Sequence, residues 1–361
     1  ADVAASVERY VAKYNDVDDQ MFHFISSPVK SQAIQTEFVT DPPTAGYDFM
    51  AWDEPGYQWV NSKTAGDLWN TSFEDNFVVG KGYLVAWPNN ETKTFSGELN
   101  SYPSSTPLVI TCTNTNSGGW NLLGNPFPSS IDWDLVDKGD GMDDALYYYD
   151  NTNENYKYYI QLGSFGVGGG SQYIPPMQGF MVHAKTTGTK TLSLDNTQRT
   201  HLSSDLYYKS EMPNLLTLQL EGNAKTDEAV IFFHPTATIG FDSHADAYKL
   251  FSNSAVMPQV YSLTSSGTKL AINALPDLSV NPNVPVGIRI PVIGSYILKA
   301  NGLETFGNSN EIFLHDNQTG VDHSLNVNSQ YPFETSISGE INDRFVLHFK
   351  GETGINKLSG D

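Results

Sequence analysis

The sequence predicts an all-β protein in which two duplicated antiparallel β-sandwich modules, of jelly-roll type, precede a third β-sandwich domain. Short apolar stretches alternate with polar residues and are bounded by Gly, Pro and Asn, as in half-buried antiparallel strands. The 19 Tyr, 19 Phe, 30 Gly and 19 Pro favour strands and turns over helices. In addition, four sequence blocks recur at an offset of about 97 residues.

The recurring blocks keep their order and slip by only one or two residues, which loops tolerate. They pair residues 22–29 with 120–127, 50–53 with 147–150, 80–86 with 177–183, and 92–96 with 189–193. We expect the pairing to include an opening strand, with Tyr10 opposite Leu108. Both copies also retain a glycine just before a strand, at Gly82 and Gly179. Such a glycine predicts either a bulge or a close approach of two backbones.

The 361 residues are too many for a single core and divide into four segments. Copy one is predicted over residues 1–100, copy two over 101–205, the C-terminal sandwich over 206–350, and a polar tail or linker over 351–361. In the third segment, the alternation of Leu216, Leu218 and Leu220 with polar residues is typical of a strand with one buried face.

The charge balance excludes some partners. The chain has 41 acidic and 20 basic residues, a formal net charge of −21. Because such a surface repels phosphates, binding to nucleic acid or to anionic lipid is disfavoured. No stretch approaches the roughly 18 apolar residues of a membrane span, so we expect no membrane insertion. The single cysteine, Cys112, cannot form an internal disulfide, and its apolar neighbours predict a buried free thiol.

Six segments carry a resemblance to known proteins: residues 80–83, 118–129, 178–180, 240–242, 246–250 and 343–347. They are similar to segments of a family of large secreted and cell-surface proteins of Bacteroidetes. In that family, such segments commonly precede a C-terminal sorting domain that the type IX secretion system reads, and many members are called adhesins or have no assigned role. The resemblance implies a secreted or cell-surface location. It also implies that neighbouring domains of the same polypeptide are partners of this segment.

Aromatic residues concentrate on the matched strand pair of each copy, and these are the predicted ligand-contact residues. They are Trp52, Tyr57 and Trp59 in copy one and Tyr147, Tyr148, Tyr149, Tyr156 and Tyr158 in copy two. Since successive strand residues face opposite sides, at least one of the three consecutive tyrosines must face outward or toward a neighbouring module. Outward aromatics can stack on sugar rings. The alternative is cross-strand packing and contact between modules.

An acidic loop over residues 137–144 is the stretch that most suggests a metal. Its aspartates, Asp137, Asp140, Asp143 and Asp144, could supply several of the roughly six to eight oxygens that Ca²⁺ takes. The loop lacks the flanking helices and the closing Glu of an EF-hand. A solvated acidic turn is therefore the ordinary interpretation, with calcium as the alternative, and the sequence requires no other cofactor.

Sequence motifs of catalysis are missing, because the chain contains neither Gly-x-Ser-x-Gly nor His-Glu-x-x-His. The positions that match between the copies are apolar, Gly or Pro, apart from the pair Asp53 and Asp150, which we interpret as turn residues. The sequence therefore predicts a non-catalytic extracellular binding or adhesion segment that recognises a glycan or a surface protein. Two alternatives stay open: a polysaccharide-active enzyme or its accessory region, and a purely structural spacer.

Overall fold

The computed structural model confirms the all-β fold class. It describes residues 3–13, 22–35, 37–39, 46–66, 68–100, 106–114, 118–202, 212–279, 282–307 and 310–350. Within these residues the regular elements are strands and three short 3₁₀ turns, without an α-helix. No helix in the described ranges is long and apolar enough to cross a membrane. The predicted polar tail, 351–361, lies outside the described residues.

The chain divides into two compact units, residues 1–207 and 208–361. The first unit contains both of the predicted sandwich copies. The predicted boundary between residues 100 and 101 therefore lies inside one compact body.

The first unit contains eighteen strands among its described residues. In copy one they are β1 (Ala4–Val11), β2 (His23–Ile25), β3 (Asp48–Asp53), β4 (Gln58–Asn61), β5 (Lys63–Thr64), β6 (Leu68–Trp69), β7 (Tyr83–Ala86) and β8 (Glu91–Glu98). In copy two they are β9 (Thr106–Cys112), β10 (Trp120–Gly124), β11 (Ser130–Asp132), β12 (Leu146–Asp150), β13 (Asn155–Ile160), β14 (Phe165–Val167), β15 (Tyr173–Ile174), β16 (Gly179–His183), β17 (Gly188–Leu194) and β18 (Arg199–Thr200). The 3₁₀ turns Trp133–Leu135 and Gly139–Gly141 lie between β11 and β12.

The two copies share a strand order. The main sheet of copy one runs β2-β7-β3-β4, and that of copy two runs β10-β16-β12-β13-β14. In each copy the opening strand pairs antiparallel with the closing strand, so that Val7 lies opposite Phe95 and Leu108 lies opposite Leu192. Val7 thus matches Leu108. The predicted match of Tyr10 with Leu108 is wrong by three residues, because the loop that leads to the next strand differs in length between the copies.

Each copy encloses an apolar interior. In copy one the ring of Phe38 lies 4.7 Å from both Phe77 and Phe95. In copy two the ring of Trp133, fully buried, lies 5.7 Å from that of Phe180. Burying one such side chain contributes roughly 1.5–3 kcal/mol, so each interior stabilises its own copy. Cys112 is buried and free, as predicted.

The copies meet through their backbones at matched positions. Isolated bridges pair Ile25 with Gln178 and Lys81 with Leu123. Residues 25 and 123 are equivalent in the repeat, and so are 81 and 178. The junction is therefore approximately two-fold symmetric, like the interface of a homodimer.

Glycines permit this close contact. A Cβ added to Gly82 would lie 2.4 Å from the carbonyl oxygen of Leu123, and one added to Gly179 would lie 2.8 Å from the Cβ of Phe24. One added to Gly124 would lie 2.2 Å from a side-chain carbon of copy one. The matched glycines are thus required by a close approach of two backbones, which is one of the two interpretations that the sequence offered.

The second unit contains the remaining strands. They are β19 (Leu215–Gly222), β20 (Lys225–Phe233), β21 (Ala247–Tyr248), β22 (Gln259–Leu263), β23 (Lys269–Leu275), β24 (Asn283–Ile290), β25 (Gly294–Asn301), β26 (Glu311–Asp316), β27 (Val321–Ser324), β28 (Gln330–Thr335) and β29 (Gly339–Lys350), with a 3₁₀ turn at Leu303–Phe306. They form one sheet in the order β27-β26-β29-β24-β22-β23-β20-β19-β25-β28, and β21 pairs with β23 off this path.

This sheet is strongly curved, so that β28, at one end of the strand order, packs against β29, near the other end. The ring of Phe333, on the last strand of the order, lies 5.0 Å from that of Phe345 on β29. The Tyr331 hydroxyl donates to the carboxylate of Asp316 at 2.9 Å, and Arg344 forms an ion pair with the same carboxylate at 3.0 Å. The described strands of the third predicted domain therefore form a single, strongly curved and nearly closed sheet around one interior.

We expect Gly82→Ala to lower the free energy of unfolding of the first unit by about 1–3 kcal/mol, because the new methyl group must push the copies apart. Gly240→Ala is the control, since nothing lies within 4 Å of the Cβ position there. Thermal and urea unfolding of both variants would measure the difference. Equal stability of Gly82→Ala and the wild type would contradict a tight junction.

Candidate functional site

A cleft with a volume of about 240 Å³ opens beside the junction of the copies. Copy one contributes residues 52–55 and 78–81 to its walls, and copy two contributes residues 109, 111 and 121–123. The walls therefore come from the end of β3, the segment before β7, and strands β9 and β10. Neither copy forms this cleft alone.

Trp52 is the predicted ligand-contact residue that lines the cleft. Its indole N–H donates to the carbonyl oxygen of Trp120 in copy two at 2.7 Å, which fixes the ring across the junction. The ring also lies 5.3 Å from Tyr57 and 5.1 Å from Trp59. Trp52 and Trp59 are half-buried, whereas Tyr57 is 55% exposed. The three aromatic residues predicted in copy one thus form one cluster at the cleft.

Glu54 is a residue of the cleft that the sequence did not single out. Its carboxylate, although in copy one, accepts hydrogen bonds from the backbone N–H and the hydroxyl of Thr113 and from the N–H of Gly119, all at 2.8 Å. Burial by itself would raise the pKa of Glu54, but these hydrogen bonds outweigh it, and the pKa lies below its ordinary value. The carboxylate stays ionised and holds the two copies together. An acid at the tip of a hairpin, directly after the matched Asp53, is the signal that could have found it.

The structure separates the predicted aromatic residues of copy two. The buried ones are Tyr147, Tyr148 and Tyr158, each no more than 8% exposed. Their rings are covered on both sides in β12 and β13. Ligand contact by these three tyrosines stays a prediction. Tyr149 and Tyr156 are half-buried with rings 5.3 Å apart. The ring of Tyr149 lies 5.9 Å from that of Phe24 in copy one, so this tyrosine faces the neighbouring copy.

The four predicted calcium ligands have separate environments. Asp137 accepts a hydrogen bond from the backbone N–H two residues further on, at 3.0 Å, and Asp140 is exposed. Asp143 is fully buried, with a carboxylate oxygen 2.6 Å from Nδ1 of His183, and Asp144 is half-buried. Among the described residues, no group of three or more His, Cys, Asp or Glu side chains is placed to hold a metal ion. Calcium binding by this loop stays a prediction.

A family model described as a domain of unknown function, DUF8693, matches residues 2–349. The chain belongs to the DUF8693 family. No curated protein and no solved structure matches it. The description of the DUF8693 family names no activity.

We expect Glu54→Gln to lower the free energy of unfolding of the DUF8693 chain at neutral pH by about 1–2 kcal/mol, because an amide oxygen accepts weaker hydrogen bonds than a carboxylate. The folded-state pKa of Glu54 is lowered. Its contribution is therefore complete above the unfolded-state pKa of about 4.3 and is lost as the pH falls through the folded-state pKa.

Urea unfolding at a series of pH values would check this prediction. The stabilities of the wild type and Glu54→Gln should differ by a constant amount above about pH 5 and converge below about pH 4. A difference that persists unchanged into acid would contradict the role of the ionised carboxylate.

Proposed function

We propose that the chain is a non-catalytic extracellular binding segment and that the cleft at the junction of the copies takes a sugar residue of a glycan. The observation that carries this proposal is the cleft itself, with Trp52 in its wall. Pockets for drug-sized ligands have volumes of roughly 300–1,000 Å³. A cleft of about 240 Å³ is suited to a smaller group such as a single sugar ring.

The chemistry of the walls supports a sugar. Two valines at the cleft are exposed although they are apolar, Val78 by 46% and Val109 by 58%. Together with the indole of Trp52 they offer an apolar surface for the C–H face of a pyranose. Asp53 and Lys81 also line the cleft, and the Lys81 ammonium pairs with Glu74. Such polar residues suit the hydroxyls at the edge of a sugar ring. The net charge of −21 favours neutral glycans over sulfated or uronic-acid polymers.

Hydrolysis of the glycan is less well supported than binding. A glycosidase needs one carboxylic acid whose raised pKa lets it donate a proton to the leaving group. Glu54, in the cleft wall, has a lowered pKa and uses its oxygens to join the copies. The secreted or cell-surface location in this proposal rests on the resemblance of segments in both units to Bacteroidetes surface proteins. The proposal that neighbouring domains are partners rests on the same resemblance.

We expect the chain to bind a neutral glycan and Val109→Arg to weaken that binding on the order of tenfold or more. Val109 lies on a strand with its side chain exposed, so a longer side chain fills the cleft without disturbing an interior. A glycan array would identify the ligand, and titration calorimetry would compare the affinities.

Val321→Arg is the matched control, because Val321 is also an exposed strand valine, by 44%, but lies in the second unit. Its affinity should equal that of the wild type. If no glycan on the array binds, or if Val109→Arg binds as tightly as the control, the proposal is wrong. The structural spacer then becomes the better account.

A further inference from the structure

Lys249 carries its amine in the interior of the second unit. Its side chain is 0% exposed, and Nζ lies 2.5 Å from Oδ2 of Asp227, whose side chain is 2% exposed. Asp227 belongs to β20, and Lys249 follows directly after β21. Removing two charges from water is costly, and their mutual attraction often fails to offset that cost. Burial therefore disfavours the charged form of the Lys249 amine.

The groups around the pair are held in place by the sheet. The backbone N–H of Val260 donates to Oδ2 of Asp227 at 2.7 Å. The backbone N–H of Lys249 donates to the carbonyl oxygen of Lys269 at 2.9 Å. Reacting groups fixed in contact behave as if present at about 10⁵–10⁸ M. Amine, carboxyl group and a hydrogen-bond donor are therefore assembled without the entropic cost that normally opposes their reaction.

We propose that Lys249 and Asp227 condense in the folded protein to form an intramolecular isopeptide bond.

The reaction is a condensation that consumes no co-reactant. A proton passes from the Lys249 ammonium to the Asp227 carboxylate, which gives a neutral amine and a neutral acid. The proton follows the hydrogen bond from Nζ to Oδ2, so that Oδ2 becomes the hydroxyl group. The Nζ lone pair attacks Cγ, and negative charge develops on Oδ1, while the Val260 N–H holds the carboxyl group in place through Oδ2. A second proton moves from nitrogen to the hydroxyl on Cγ, the C–O bond breaks, and one water leaves. Burial lowers the pKa of Lys249 against the opposing attraction of Asp227, which favours the neutral amine needed for attack.

Two other lysine–acid pairs in the same unit have the same N–O distance as Lys249 and Asp227 but are less buried, so they serve as a comparison for the effect of burial on condensation. Lys299 with Glu221 and Lys269 with Glu340 also have N–O distances of 2.5 Å, but their side chains are 27–37% exposed. Both pairs are accessible to water, so we expect no condensation there. The bond between Lys249 and Asp227 would close a loop between residues 22 apart in a unit whose sequence contains no cysteine. It would be a cross-link independent of redox conditions.

The test is the intact mass of the full chain, measured under denaturing conditions after incubation of the folded protein at neutral pH. We expect the sequence mass less one water, and a branched peptide that joins residues 227 and 249. Peptides that contain Lys299 and Glu221 should be recovered unlinked. A wild-type mass equal to the sequence mass would overturn the proposal.

Two variants locate the loss of water. Lys249→Arg cannot form the amide and should have its full sequence mass, whereas Asp227→Asn should lose one ammonia in place of one water. A loss of water that persists in Lys249→Arg, or that hydroxylamine reverses as it does a succinimide, would place the dehydration elsewhere and refute the cross-link.

Discussion

The direct contact of two backbones at the junction of the copies organises the first unit. Gly82 and Gly179 allow the strands of one copy to lie against those of the other, where any Cβ would force them apart. Once the backbones are that close, hydrogen bonds form across the junction. The N–H of Gly124 donates to the carbonyl oxygen of Gly80 at 2.9 Å. The cleft, the fixed indole of Trp52 and the burial of Glu54 all depend on this approach.

The two symmetry-related sides of the junction have similar backbone contacts but different side chains. On one side Glu54 bonds to the N–H groups of the other copy, and on the matched side Asn151 lies 3.2 Å from Nε2 of His23. Burial lowers the pKa of His23 to about 4, so that its imidazole is uncharged at neutral pH. Nearby, the Arg9 guanidinium of copy one donates to the carbonyl oxygen of Met177 at 3.1 Å. Equivalent backbone positions therefore hold an ionised carboxylate on one side and a neutral imidazole on the other.

The pKa values of charged groups in both units are set by burial and by hydrogen bonds. Glu54 is held ionised because several N–H and O–H groups point at its carboxylate. Burial lowers the pKa of Lys249, against the opposing attraction of Asp227 and Glu228. Exposed pairs such as Lys299 with Glu221 have the same atomic distance but are screened by water, and such pairs contribute little to stability. The protonation of Glu54 and Lys249 therefore depends on their burial and hydrogen bonds, and the total number of acidic residues does not predict it.

The sequence by itself determined the all-β class, the order of the repeated blocks and the burial of Cys112. At Gly82 and Gly179 it predicted either a bulge or a close approach of two backbones. These features follow from local patterns, because alternation with a period of two and the lack of a Cβ are properties of a short segment. Only the tertiary structure decided that Tyr147 and Tyr148, on opposite faces of β12, are both buried. It also decided that Glu54 bonds across the junction, that Asp143 meets His183, and that Lys249 reaches Asp227. Burial depends on which distant segments cover a residue, and no local pattern specifies that.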